Sequence, residues 1–141
     1  MQLYRVVSQA DWQEALRTGL VPRCGSDQRA GWIHLNTPED VETVAARYFS
    51  PKERPLALLL DLTEQQANLS WLAPTEAKPW RQPILSVPQL QRAWVVAVRR
   101  LEPSGESPAL GYRLGEALPL SRKQQRLPVG GVVFCGGVRR R

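Results

Sequence analysis

The sequence predicts a single α+β domain in which two N-terminal helices pack against a sheet. The chain has 141 residues, of which 43% are hydrophobic and 23% charged, and these values are typical of one globular domain. Capping residues bracket two amphipathic segments within the first 50 residues. A continuous apolar run at residues 56–62 has the length of a strand buried on both faces. We therefore expect one hydrophobic core shared by helices and strands.

The first predicted unit is a strand followed by a helix. Residues 3–7 are rich in β-branched and aromatic side chains, which favour a strand. Ser8 and Asp11 have the S-x-x-D spacing of a capping box, and apolar side chains follow at helical spacing. Gly19 is suited to end this helix, because glycine readily adopts the left-handed conformation found there.

The second predicted unit has the same order. A loop leads to a strand at residues 32–36, and Thr37 then serves as the N-cap of a helix with Pro38 at its first position. Apolar residues recur at the spacing of one helical face, at Val41, Val44, Ala45 and Tyr48. This pattern ends near residues 49–51. The spacing predicts a helix from about residue 38 to residue 49.

The remaining elements are strands and loops. The apolar run at residues 56–62 is expected at the centre of the sheet, and residues 63–67 have the length of one helical turn. A proline-punctuated loop over residues 74–88 contains a short strand, and residues 94–98 form the last strand of the body.

Positive charge is concentrated in the last third of the chain. The formal net charge is +6, yet residues 1–91 carry nine basic and ten acidic groups, whereas residues 92–141 carry ten basic and three acidic groups. Seven of the ten glycines also follow residue 101, and Pro103-Ser104-Gly105 and Ser107-Pro108 are typical of a linker. We therefore predict a family-like domain at residues 1–101 and a basic Gly/Pro-containing extension at residues 102–141.

Several classes of protein are excluded by what the sequence lacks. No apolar run approaches the ~18 residues of a membrane helix, and the start has no signal-peptide pattern, so we expect a cytoplasmic protein without membrane contact. Cys24 and Cys135 match no metal spacing, so no metal site is predicted, and free thiols are the expected state. HExxH, GxSxG and glycine-rich phosphate-loop patterns are absent.

Four residues are candidates for a site. His34 is the chain's one histidine, on the strand face opposite its apolar neighbours. Arg5 occupies mid-strand, an unusual place for a guanidinium, and lines the same cleft if the two strands are adjacent. Asn36 and Thr37 lie just before a helix start, where backbone N–H groups attract anions. The alternatives are a structural histidine, a solvated edge arginine and a plain N-cap.

The segment at residues 31–39, with Trp32, His34 and Thr37, carries a family resemblance. Together with the strand at residues 3–7 and the helix end at residues 44–49, it resembles the bacterial family known as domain of unknown function 952. That pattern has a tyrosine-histidine strand and a glycine-aromatic-isoleucine-histidine-x-x-threonine strand. The resemblance covers about residues 1–101.

The resemblance implies an ADP-ribosyltransferase-like fold, in which a split, mixed or antiparallel sheet holds NAD in a cleft. It implies catalytic positions for Arg5 and His34 and a cofactor-binding position for Thr37. Two family features are missing here: Leu72 stands in place of a glutamate, and residues 80–83 lack a second histidine.

Two functions remain open at this stage. The first is a cleft for a small nucleotide or NAD-related ligand, lined by Arg5, His34, Asn36 and Thr37, with an undefined transferase activity that the missing acid and histidine put in doubt. The second is a non-enzymatic module that binds RNA or another acidic partner through its basic C-terminal segment, in a weak and salt-sensitive manner.

Overall fold

The computed structural model describes residues 2–105 and 111–120, which form one α+β domain. The helices are α1 (Gln9–Thr18), α2 (Gly25–Ala30) and α3 (Val41–Tyr48), and short 3₁₀ turns occur at Pro51–Glu53, Thr63–Asn68 and Arg92–Trp94. The strands are β1 (Leu3–Val7), β2 (Leu20–Val21), β3 (Ile33–His34), β4 (Leu56–Leu60), β5 (Leu69–Leu72), β6 (Gln82–Leu85), β7 (Leu90–Gln91), β8 (Val95–Ser104) and β9 (Gly111–Leu118).

The main sheet has the order β1-β4-β8-β9, with every neighbouring pair antiparallel. The apolar run at residues 56–62 supplies β4, which lies between β1 and β8 and is buried along most of its length. The predicted central strand is therefore confirmed, because its side chains have apolar partners on both faces of the sheet.

Two smaller sheets complete the framework. Strands β3, β6 and β5 form a three-stranded antiparallel sheet, and β2 pairs with β7. The larger apolar core lies on one face of the main sheet, and its most deeply buried members include Leu35, Leu58, Leu85 and Val98. The opposite face is covered by α3, in a second cluster that contains Tyr4, Val41, Ala57 and Tyr112.

The first predicted helix is confirmed, and the helix predicted after Thr37 begins later than expected. Ser8 caps α1 by accepting the Asp11 N–H at 3.1 Å, and Gly19 ends it with φ of 84°. In contrast, α3 starts at Val41, because residues 37–40 form a turn in which the Thr37 hydroxyl accepts the Asp40 N–H at 3.2 Å. Thr37 thus caps a turn, and the helix follows it.

The sheet continues beyond the boundary predicted near residue 102. Strand β8 runs through that position to Ser104, and β9 pairs with it along its length. The Tyr112 hydroxyl donates to the Phe49 carbonyl at 2.9 Å, and Glu42 accepts the Leu114 N–H at 2.8 Å. Pro103 therefore lies within a paired strand, and β9 belongs to the domain.

Part of the predicted extension falls outside the described residues. This applies to residues 130–137, for which the flanking glycine pairs predict a short strand, to Cys135, and to the basic residues from Arg122 onward. Within the described ranges, no helix is both long enough and apolar enough to span a membrane.

Candidate functional site

A buried carboxylate, Asp27, brings together the two residues that the sequence predicts as catalytic. The Arg5 guanidinium donates to it with Nη2–Oδ2 at 2.6 Å and Nη1–Oδ1 at 3.4 Å. The His34 ring atom Nδ1 lies 2.9 Å from Oδ1, and the His34 backbone N–H donates to the same oxygen at 3.0 Å. Asp27 is fully buried and Arg5 is 7% exposed. Arg5 and His34 therefore converge on a common acid.

Local sequence fixes this acid in place through the short helix α2. The Cys24 backbone N–H donates to Asp27 Oδ2 at 3.1 Å, which is half of a capping box at the start of the helix. Gly31 then ends α2 with φ of 84°, a conformation that favours glycine, and turns the chain directly into β3. Arg23 further ties the helix by donating to the Asp27 carbonyl at 2.8 Å.

The ion pair also forms hydrogen bonds with the backbone groups of β3 that have no partner in a neighbouring strand. Leu35 donates its N–H to Pro83 on the β6 side, so the N–H and carbonyl of His34 point away from β6. Asp27 accepts that N–H, and Arg5 Nη1 donates to that carbonyl at 2.7 Å. One carboxylate and one guanidinium thus satisfy both backbone groups of His34.

Electrostatics fix the tautomer of His34. Burial alone would raise the pKa of Asp27, but the hydrogen bonds from His34 and the positive charge of Arg5 outweigh it and hold that pKa well below its ordinary value of 3.8. Asp27 is therefore an ionised acceptor, and Nδ1 of His34 carries the proton it donates. Among the described contacts none involves Nε2, and the His34 side chain is 14% exposed.

A separate cavity of about 480 Å³ lies beside the turn that follows β3. Its lining residues are Gln2, Leu3, Thr37, Pro38, Glu39, Asp40, Trp71 and Arg81. The Arg81 guanidinium stacks over the Trp71 ring, 4.7 Å from its centroid. The cavity wall therefore carries one positive group, the Arg81 guanidinium, and the two carboxylates of Glu39 and Asp40.

The structure places three of the four predicted site residues at these two places and the fourth, Asn36, opposite Tyr4 of β1. Arg5 and His34 meet at Asp27, whereas Thr37 lines the cavity. Asn36 is 6% exposed and joins β3 to Tyr4 of β1 through two backbone hydrogen bonds of 2.7 and 2.8 Å. Its side-chain Oδ1 is buried without a hydrogen-bond partner. Arg5 and His34 are not among the residues that line the cavity.

Sequence reasoning missed Asp27, because residues 22–31 read as a loop. Helix α2 has only six residues, too few to display a helical period. One signal was present: Asp27 follows Cys24 at the three-residue spacing of a capping box, with cysteine in the place of serine. The described residues contain no group of three His, Cys, Asp or Glu side chains able to hold a metal ion.

Comparisons with known proteins agree on a family and a fold. Residues 6–84, more than half of the chain, match the model of a family described as "Protein of unknown function (DUF952)". The X-ray crystal structure of protein CC0527 from Caulobacter crescentus is similar, with a TM-score of 0.61 and 24% sequence identity, over 74% of this chain and 89% of that chain. A double mutant of CC0527 gives a TM-score of 0.60 at the same identity and coverage. No curated protein matches the chain.

Proposed function

The chain belongs to the DUF952 family, whose function is unknown, and we propose on this premise that it binds a nucleotide or NAD-related ligand in the cavity beside Thr37. We further propose an ADP-ribosyltransferase-like fold, in which the β3-β6-β5 sheet and the main sheet are the two parts of a split sheet. The proposal is one of binding, and turnover is a separate question that the same assay answers.

The cavity is the observation that carries this proposal. Its volume of about 480 Å³ lies within the range of small-molecule sites. Thr37, at the end of the 31–39 segment, and Trp71, on β5, both line it. Two segments that are distant in sequence, and that both lie within the residues covered by the family resemblance, therefore line the same cavity.

The charges of the cavity favour a ligand that carries both signs of charge. Arg81 offers a guanidinium suited to a phosphate oxygen. Glu39 and Asp40 present carboxylates on the turn, and a simple polyphosphate would be repelled there. A dinucleotide with a diphosphate and a cationic ring, as in oxidised NAD, has groups for both.

His34 would supply a second contact with such a ligand. Its protonated Nδ1 faces Asp27, so its Nε2 is the nitrogen able to accept a proton from a ligand hydroxyl. His34 lies three residues before Thr37, roughly 10 Å along an extended chain, which a dinucleotide can span. Asp27 acts through His34 as a positioning residue.

Calorimetric titration of NAD, ADP-ribose and RNA with a 2′-phosphorylated end tests this function. Thr37→Val removes the hydroxyl that donates to Asp40 Oδ2 at 3.0 Å and accepts the Asp40 N–H at 3.2 Å, so it should loosen the turn that lines the cavity and weaken binding of the preferred ligand about tenfold. His34→Asn keeps a nitrogen at the position of Nδ1 for Asp27 and removes Nε2, so it should weaken binding while the melting temperature is largely retained. Release of nicotinamide in the same samples measures turnover.

Thr43→Val is the matched control for Thr37→Val, because Thr43 is exposed on α3. Its affinity should equal that of the unmodified protein. Failure of the unmodified protein to bind any of the three ligands, or equal affinities in all four proteins, would contradict the proposal.

A second candidate function is an interaction module that binds RNA through the basic C-terminal segment. The charge distribution favours it, since residues 1–91 have a net charge of −1 and residues 92–141 a net charge of +7. A chain ending after Leu120 keeps β9 and removes six of the ten basic residues. When both proteins are measured at low salt, where phosphate contacts are strongest, this shorter chain should bind a single-stranded RNA more weakly than the unmodified protein. An unchanged affinity would exclude the removed segment as the binding site.

A further inference from the structure

Arg92 is a buried arginine at the end of β7, outside both the Asp27 cluster and the cavity. It begins the 3₁₀ turn Arg92–Trp94 and is only 3% exposed. Its backbone N–H donates to the Gly19 carbonyl at 2.9 Å, which holds the residue beside the end of α1. Its guanidinium lies 5.3 Å from the centroid of the Trp12 ring.

The guanidinium nitrogens Nε and Nη2 are buried and have no hydrogen-bond partner. These two N–H groups lie on the same side of the guanidinium, and together they form the edge that binds a carboxylate or phosphate with two parallel hydrogen bonds. Trp12 lies over one face of the group, so an oxyanion bound to this edge would lie in the guanidinium plane, in space that the covering side chains must open because both nitrogens are buried.

An unpaired charge in this position is costly. Arginine remains protonated in proteins, and removing such an ion from water without a partner is strongly unfavourable. No acidic residue in the described part of the chain forms an ion pair with Arg92. The contact with Trp12 offsets a part of this cost and leaves both N–H groups unsatisfied.

We propose that the Nε–Nη2 edge of Arg92 is a binding site for an oxyanion, either a phosphate or a carboxylate group. The orphaned pair of donors selects this class, because a spherical anion such as chloride cannot take both N–H groups in the parallel geometry. Neither the Asp27 cluster nor the ligand proposed for the Thr37 cavity is needed for this site.

Thermal unfolding at constant ionic strength tests the site, with inorganic phosphate or acetate replacing part of the chloride. An oxyanion that binds the folded state at ten times its Kd should raise Tm by about 4 °C. Phosphate and acetate are separate arms, and the larger shift identifies the preferred oxyanion. Arg92→Met, which keeps an apolar stem against Trp12, should abolish the shift.

Two further variants make the outcome specific. Arg100→Met removes an exposed arginine of β8 and should leave the shift intact. Arg92→Lys keeps the charge without the fork, so its shift should be smaller than that of the unmodified protein, and it decides the question if Arg92→Met does not fold. No shift in either oxyanion, an equal shift in the Arg92 variants, or loss of the shift in Arg100→Met overturns the proposal.

Discussion

Replacing Asp27 by asparagine is expected to lower the free energy of unfolding by about 3–5 kcal/mol, the range found when one partner of a buried ion pair is removed. Asparagine keeps the size of the side chain, but it leaves the Arg5 guanidinium charged and buried without an anion. It also turns one acceptor oxygen into an NH₂ group, among donors from Arg5, His34 and Cys24. Urea unfolding followed by circular dichroism measures the change.

Asp61→Asn is the control for this substitution. Asp61 is exposed, and its carboxylate accepts hydrogen bonds only from the backbone and hydroxyl of Thr63 among the described contacts. Its replacement should change stability little. Equal stability of Asp27→Asn and the unmodified protein would mean that the buried pair contributes no net stabilisation.

Asp27→Asn should also change how the free energy of unfolding depends on pH. The folded-state pKa of Asp27 is lowered from 3.8, so the stabilisation it provides is complete above the unfolded-state pKa and is lost as pH falls below it. The free energy of unfolding should therefore decline below about pH 5, and the decline should be shallower in Asp27→Asn. Parallel profiles for the two proteins from pH 7 to pH 3 would contradict the assignment.

A chain that ends after Leu101 is expected not to fold. It lacks β9, which pairs with β8 from Val98 to Ser104, and with it Tyr112, which is 5% exposed in the second core cluster. Loss of a buried aromatic side chain alone costs about 3–5 kcal/mol, and the strand's backbone hydrogen bonds are lost as well. These losses are comparable with the whole stability of a typical domain, about 5–15 kcal/mol.

The matched chain ends after Leu120 and keeps all nine strands of the described structure. It should unfold cooperatively on heating, whereas the shorter chain should show no cooperative transition and poorly dispersed NMR spectra. A cooperative transition at the same temperature in both chains would mean that β9 contributes nothing to the domain.

Elements with strong local signals could be predicted from the sequence. Helix α1 has a capping serine, an apolar face and a terminal glycine within twelve residues, and each of these signals acts locally. Strand β4 is recognisable because a continuous apolar run of five to seven residues is typical of a strand that is buried on both faces. Both elements lie where the sequence predicts them.

The site was less predictable, because it depends on contacts between residues that are distant in sequence. Arg5 and His34 are 29 residues apart, and nothing in either strand specifies that a third residue joins them. Asp27 occurs in a segment that is too short for a periodic pattern. The missing family glutamate suggested a site without an acid, whereas Asp27 places a carboxylate against His34 from another part of the chain.

Prediction of the domain boundary failed for a different reason. Proline and glycine are typical of both linkers and hairpin turns, so Pro103, Gly105 and Pro108 did not distinguish the two. Gly105, with φ of 81°, follows directly after β8. Pairing of β8 with β9 is a property of two strands together, and neither strand reveals it alone.

The contacts of Asp27 and Arg5 with the backbone of His34 also bear on how the two larger sheets are joined. Arg5 belongs to β1 of the main sheet and His34 to β3 of the smaller sheet, and the backbones of these two segments pair only at Tyr4 and Asn36 among the described contacts. Beside that pairing, the ion pair links the two sheets where their strands do not hydrogen-bond to each other. Substitutions at Asp27 would therefore loosen the junction between the sheets as well as lower the stability of the domain.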